Sequence, residues 1–79
     1  MAHVLLFGPL RDVAGWRERD VPANSILALK AVLSREDPAL GAALDGKGIQ
    51  VAVDQRIYRG DTDLRANAEV AFLPPMSGG

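Results

Sequence analysis

Cysteine is missing from this 79-residue chain, and histidine occurs once, at His3. Without cysteine there is no disulfide framework, no thiolate zinc site and no thiol to act as nucleophile or sulfur donor. A single imidazole argues against a histidine-rich metal site. Neither sign of charge is in excess. Nine Lys and Arg against ten Asp and Glu leave a net charge of −1, which makes no electrostatic case for nucleic acid or an anionic membrane. No apolar run approaches the roughly 20 residues that span a bilayer. Met1-Ala2-His3 leads directly into a short strand pattern rather than a signal peptide. Neither phosphate-binding loop, G-x-x-x-x-G-K-S/T or G-x-G-x-x-G, is present. These absences predict a cytoplasmic chain, poor in catalytic groups, that binds no metal or cofactor itself.

What is present is an ordinary globular composition, 48% apolar and 24% charged, in a length that makes one small domain. His3 to Phe7 is an apolar run stopped by Gly8-Pro9, and its shortness favours strand over helix. Leu10 to Ala14 predicts a turn of helix. Trp16 to Val21, with Arg17, Glu18, Arg19 and Asp20 in a row, fits an outer strand in a hairpin with the first. Ser25 or Asn24 caps the main helix, where Ile26, Leu29 and Leu33 recur at helical spacing beside Val32 and the Lys30 stem. Pro38 disfavours helical geometry at Asp37, so this helix ends near Glu36. Glu36 and Asp37 then sit unfavourably at its negative end. Ala39 to Leu44 predicts a short turn over the core, and Asp45-Gly46-Lys47-Gly48 a loop.

Ile49 to Asp54 alternates, with Ile49, Val51 and Val53 on the buried side. Ile57-Tyr58 is a short strand after a tight turn, and Asn67 suits a positive φ. Glu69 to Leu73 closes the domain, Val70 and Phe72 inward, Ala71 and Leu73 outward. A helix on one face of a mixed sheet of four to five strands is the economical arrangement, an α+β roll of the β-grasp kind. The domain takes residues 1–73 and an extended tail takes 74–79. One apolar surplus remains. The sheet face away from the helix must carry either Leu5 and Phe7 or Val4 and Leu6, together with Ala52, Ala71 and Leu73. A contiguous cluster there marks a partner surface.

The tail is the most unusual stretch: Phe72-Leu73-Pro74-Pro75-Met76-Ser77-Gly78-Gly79. At an average glycine frequency of about 7%, a closing Gly-Gly pair arises by chance in roughly 0.5% of chains. Pro74-Pro75 holds the emerging chain extended, with a reach of about 20 Å from Pro74 to the carboxylate. Gly78 and Gly79 lack a Cβ and fit a slot too narrow for other residues. Such a tip suits a carboxylate delivered into another protein's active site. A free carboxylate is a poor electrophile. ATP cures this when the carboxylate attacks the α-phosphate, pyrophosphate leaves and an acyl adenylate forms. A sulfur nucleophile then gives a thiocarboxylate, and an amine gives an amide. With no ATP site here, activation falls to a separate enzyme. His3 is expected to face solvent, and the acid pairs Asp61/Asp63 and Glu36/Asp37 lack the apolar surroundings that raise a pKa.

Val4-Leu5-Leu6-Phe7, Leu10-Arg11-Asp12-Val13-Ala14-Gly15, Val51-Ala52-Val53-Asp54-Gln55 and Glu69-Val70-Ala71-Phe72-Leu73-Pro74-Pro75-Met76-Ser77-Gly78-Gly79 together resemble the small-subunit family of molybdopterin synthase. These are MoaD-type sulfur carriers within the ubiquitin-like ThiS/MoaD group. The likeness covers nearly the whole chain and is most specific at its end. It implies a non-catalytic carrier subunit of a heterotetrameric sulfurtransferase. Gly79 would be adenylated by an E1-like, MoeB-type enzyme that uses ATP. It would then be thiocarboxylated and inserted into a MoaE-type large subunit, where sulfur passes to cyclic pyranopterin monophosphate. Gly78, Ser77 and Met76 would enter the partner's site. Phe7, Ile57, Leu73, Pro74 and Pro75 would form the partner interface, which places Leu5 and Phe7 on the outer face. Asp54, where relatives often have Asn, and Asn67-Ala68, in place of Gly-Asp, depart from the family pattern at turns. The rivals are a sulfur carrier for thiamine or cysteine synthesis, which Phe-Leu-Pro-Pro argues against, and a ubiquitin-like modifier or interaction module.

Overall fold

In the first strand, β1 (Ala2–Leu6), the two-residue period separates buried from half-buried side chains. Ala2, Val4 and Leu6 are at most 1% exposed, while His3 and Leu5 lie on the other face with Phe7 just beyond. The structure is a computed structural model and describes residues 1–75. Gly8-Pro9 stops β1 and opens α1 (Pro9–Ala14), a short helix with proline in its first turn and Gly15 at φ 81° past its end. The charged run forms β2 (Glu18–Val21), antiparallel to β1.

Ser25 caps the main helix α2 (Ile26–Glu36) by accepting from the Ala28 N–H at 3.0 Å. Its apolar face, Ile26, Leu29 and Leu33, is at most 3% exposed. Asp37 ends α2 with its own N–H on the Leu33 carbonyl, and its side chain accepts from the Leu40 N–H to cap α3 (Pro38–Leu44). The expected misplacement of Asp37 at a negative helix end is thereby corrected, because the same carboxylate sits at the positive end of the next helix. Glu36 pairs with Arg19 of β2.

The remaining strands are β3 (Gln50–Val53), β4 (Arg56–Tyr58) and β5 (Glu69–Leu73). Asp54 and Gln55, with φ of 49° and 71°, make the two-residue turn between β3 and β4, whose positive φ values match the twist of a hairpin. Asp54 tolerates this turn as Asn would. Asn67 has the expected positive φ, 63°. The five strands form one mixed sheet in the order β2-β1-β5-β3-β4, with β1 and β5 parallel and the other pairs antiparallel. The fold is the predicted α+β β-grasp roll. Phe72 of the central strand β5 is fully buried in the core together with Leu29, Leu33, Leu40 and Leu44.

Candidate functional site

The sheet register settles which residues lie on the face away from the core. Leu5 pairs with Ala71, Ala71 with Ala52, and Ala52 with Ile57. An apolar row therefore crosses four adjacent strands, about 14 Å at roughly 4.8 Å per strand. Leu73, opposite Gln50, belongs to the next row, and Phe7 continues the same face past the end of β1. The alternative, Val4 and Leu6 outward, does not occur. Ala52 and Ala71 are only 8% and 7% exposed because they sit on inner strands, whereas Ile57 on edge strand β4 is 52% exposed. The surface is thus a shallow alanine floor bordered by Leu5, Phe7, Leu73 and Ile57, which is contiguous rather than scattered.

Arg11, which the sequence offered only as part of a motif, borders this surface. Its Nε donates to the Leu6 carbonyl at 3.0 Å, and its guanidinium lies 5.6 Å from the centre of the Phe7 ring. The pair of contacts lets α1 hold Phe7 in place through a cation–π attraction.

On the same face, the opposite end of the sheet is polar. His3 lies between Asp20 on β2 and Glu69 on β5. Its Nδ1 is 2.8 Å from Asp20 Oδ1 and its Nε2 is 3.3 Å from Glu18 Oε2. Only the protonated ring donates at both nitrogens. The bonds to Asp20 and Glu18 raise its pKa above the ordinary 6.5. His3 is therefore engaged by acids, not simply solvated. Asp54 accepts from the Glu69 N–H at 3.0 Å and from Arg65 Nε at 3.1 Å, and these bonds lower its pKa. The acid pairs noted in the sequence serve structure. Asp61 accepts from the Leu27 N–H at 2.8 Å in the first turn of α2. Asp63 lies in a backbone bridge to Ser25, where the Ile26 N–H donates to the Thr62 carbonyl and the Leu64 N–H to the Asn24 carbonyl.

From Leu73 the chain leaves the ladder into Pro74 and Pro75. Pro74 packs on Gly8, where a Cβ would come within 3.0 Å of its Cγ. Pro75 packs on Gly48, where a Cβ would come within 2.8 Å of its Cβ. Neither contact was foreseen, since each joins residues far apart in sequence. Met76, Ser77, Gly78 and Gly79 lie outside the described residues. Among the described residues no group of three or more His, Cys, Asp or Glu is placed to hold a metal. No helix among them is long and apolar enough to cross a membrane.

The chain is similar over its whole length to a molybdopterin synthase sulfur carrier subunit from Escherichia coli (strain K12). The two are 31% identical, with all of both chains covered. Its backbone is similar to that of small archaeal modifier protein 1 from Methanosarcina acetivorans, with a TM-score of 0.85, 26% identity and coverage of 99% and 95% of the two chains. The same protein from Haloferax volcanii gives a TM-score of 0.80 and 28% identity, covering 99% and 98%. Residues 4–79, from β1 through the two final glycines, match the ThiS family, and the chain belongs to it.

Proposed function

We propose that this chain is the sulfur-carrier subunit of a molybdopterin synthase. The observation that carries the reading is the full-length similarity to the Escherichia coli carrier subunit at 31% identity. The geometry supports it, because the contiguous apolar face reaches Leu73, the residue next to the Pro74-Pro75 root of the tail. On an E1-like, MoeB-type enzyme the Gly79 carboxylate attacks the α-phosphate of ATP and pyrophosphate leaves. A sulfur nucleophile displaces AMP and leaves a thiocarboxylate on Gly79. In the MoaE-type large subunit the outer face docks and Gly78 and Gly79 fill the narrow approach. The thiocarboxylate sulfur bonds to a carbon of cyclic pyranopterin monophosphate, and water then cleaves the Gly79 carbonyl–sulfur bond and returns the carboxylate. This chain contributes the reacting carbonyl, the reach and the docking surface, while its partners contribute the catalytic groups.

The test is reconstitution. The thiocarboxylated chain, mixed with a MoaE-type subunit and cyclic pyranopterin monophosphate, should yield molybdopterin in proportion to thiocarboxylate supplied. No product, from a large subunit active with its own carrier, would refute the assignment. The likeness to small archaeal modifier protein 1 favours a second reading, in which the activated Gly79 is transferred to lysines of other proteins. Isopeptide conjugates recovered from cells, without thiocarboxylate, would support that reading instead.

A further inference from the structure

Leu73, opposite Gln50, is the last residue of β5 held by the sheet. The next two are prolines, which have no N–H to donate, so the ladder has no donor with which to continue through them. The position of the stem must come from packing, and the packing is two-sided. Gly8 follows β1 and Gly48 precedes β3, the two strands that flank β5. Pro74 rests on Gly8 and Pro75 on Gly48. We propose that Gly8 and Gly48 are positioning residues, a pair of Cβ-less seats that grip the proline stem from both sides and aim the chain beyond it. The proposal deepens the carrier reading and rests on it for its kinetic consequence.

Both residues have positive φ, 58° at Gly8 and 83° at Gly48, so backbone conformation alone could account for glycine there. The molecule contains its own control. Gly60 has a φ of 82°, within a degree of Gly48, yet nothing lies within 4 Å of where its Cβ would be. Alanine at Gly60 meets the backbone penalty only. Alanine at Gly48 meets the same penalty and also places a methyl 2.8 Å from Pro75 Cβ, where ordinary contact begins at 3.4 Å. One side must therefore give by about 0.6 Å. A misplacement of about 1 Å at a reacting centre costs on the order of 100-fold, so a loss of roughly tenfold is expected if the stem moves.

The experiment compares Gly48→Ala with Gly60→Ala in the full chain, bound to the large subunit and carrying a preformed thiocarboxylate. Gly48→Ala should lower Tm at least as far as Gly60→Ala, because it adds a steric contact to the same backbone penalty, and Gly60→Ala should leave Kd near wild type. Gly60→Ala should keep the wild-type single-turnover rate, whereas Gly48→Ala should lose about tenfold. Equal rates for the two variants would overturn the proposal. The Gly8 seat is tested by a double-mutant cycle that does not depend on Gly48→Ala folding. Pro74→Ala removes the Cγ that Gly8→Ala would strike, so the double variant should recover part of the rate lost in Gly8→Ala. Strict additivity would overturn the Gly8 assignment. Residual dipolar couplings across Leu73 to Met76 in the free protein read the stem's direction without sulfur chemistry. They should change in Gly48→Ala and not in Gly60→Ala, and unchanged couplings in both would sink the seats. A wild-type chain that transferred no sulfur would contradict the carrier reading alone.

Discussion

Phe72 and Leu73 are consecutive on β5 and should give opposite phenotypes. Phe72 faces the core and is 0% exposed, so Phe72→Ala removes a ring from a closed core and should cost about 3–5 kcal/mol. At roughly 0.05–0.15 kcal/mol per residue, a domain of this length has about 4–12 kcal/mol in total. With about 4–8 °C lost per kcal/mol, Tm should fall by roughly 12–40 °C, leaving the weaker end of that range unfolded at ordinary temperatures. Leu73 faces outward beside Phe7 and is half-buried. In Leu73→Lys the new stem covers much of the same surface while the ammonium stays in water, so the free domain should lose about 1 kcal/mol or less. Docked, that ammonium becomes a buried unpaired charge costing about 3–5 kcal/mol, or more than 100-fold in Kd. Phe7→Lys should behave alike. Thermal denaturation of the free chain and calorimetric titration with the large subunit separate the two effects. Wild-type affinity in Leu73→Lys would refute the outer face as the docking surface. A larger Tm loss in Leu73→Lys than in Phe72→Ala would refute the face assignment itself.

Three further outcomes follow from single residues. Asp37→Ala removes the cap of α3 and should cost about 1 kcal/mol, seen as a Tm lower by roughly 4–8 °C. His3 has a raised pKa when folded, so its contribution to stability is complete below about pH 6.5 and fades as pH rises through the folded value. His3→Gln should flatten that part of the Tm-against-pH curve, and an NMR titration of the ring should show a midpoint above 6.5. Gly78→Ala should keep Tm and most partner affinity yet lose on the order of 100-fold in single-turnover sulfur transfer, if its methyl displaces the carbonyl by about 1 Å.

Much of this protein was legible because its strands and main helix obey simple periods. Val70 and Phe72 alternate with Ala71 and Leu73 as β5 requires, and Ser25 and Pro38 bracket α2 by local chemistry. From the residue pattern the outer face is a choice between two sets, and only the family resemblance pointed to Leu5 and Phe7. The parallel pairing of β1 with β5 decides it, and that pairing joins opposite ends of the chain. Asp37 looks misplaced in sequence because α2 ends at it, and only the fold shows that its carboxylate starts α3. The glycine seats were out of reach for another reason. A glycine's positive φ follows from its turn, but its neighbour across space follows only from the assembled sheet. The case for Gly79 rests on sequence, since Met76 to Gly79 lie outside the described residues.

Whether Gly79 carries sulfur is read most directly from intact mass with fragmentation of the protein isolated from its own cells. The expected result is a fraction in which one oxygen is replaced by sulfur, with the change confined to fragments containing Gly79. A population with an unmodified carboxylate throughout, from cells actively making molybdenum cofactor, would contradict it.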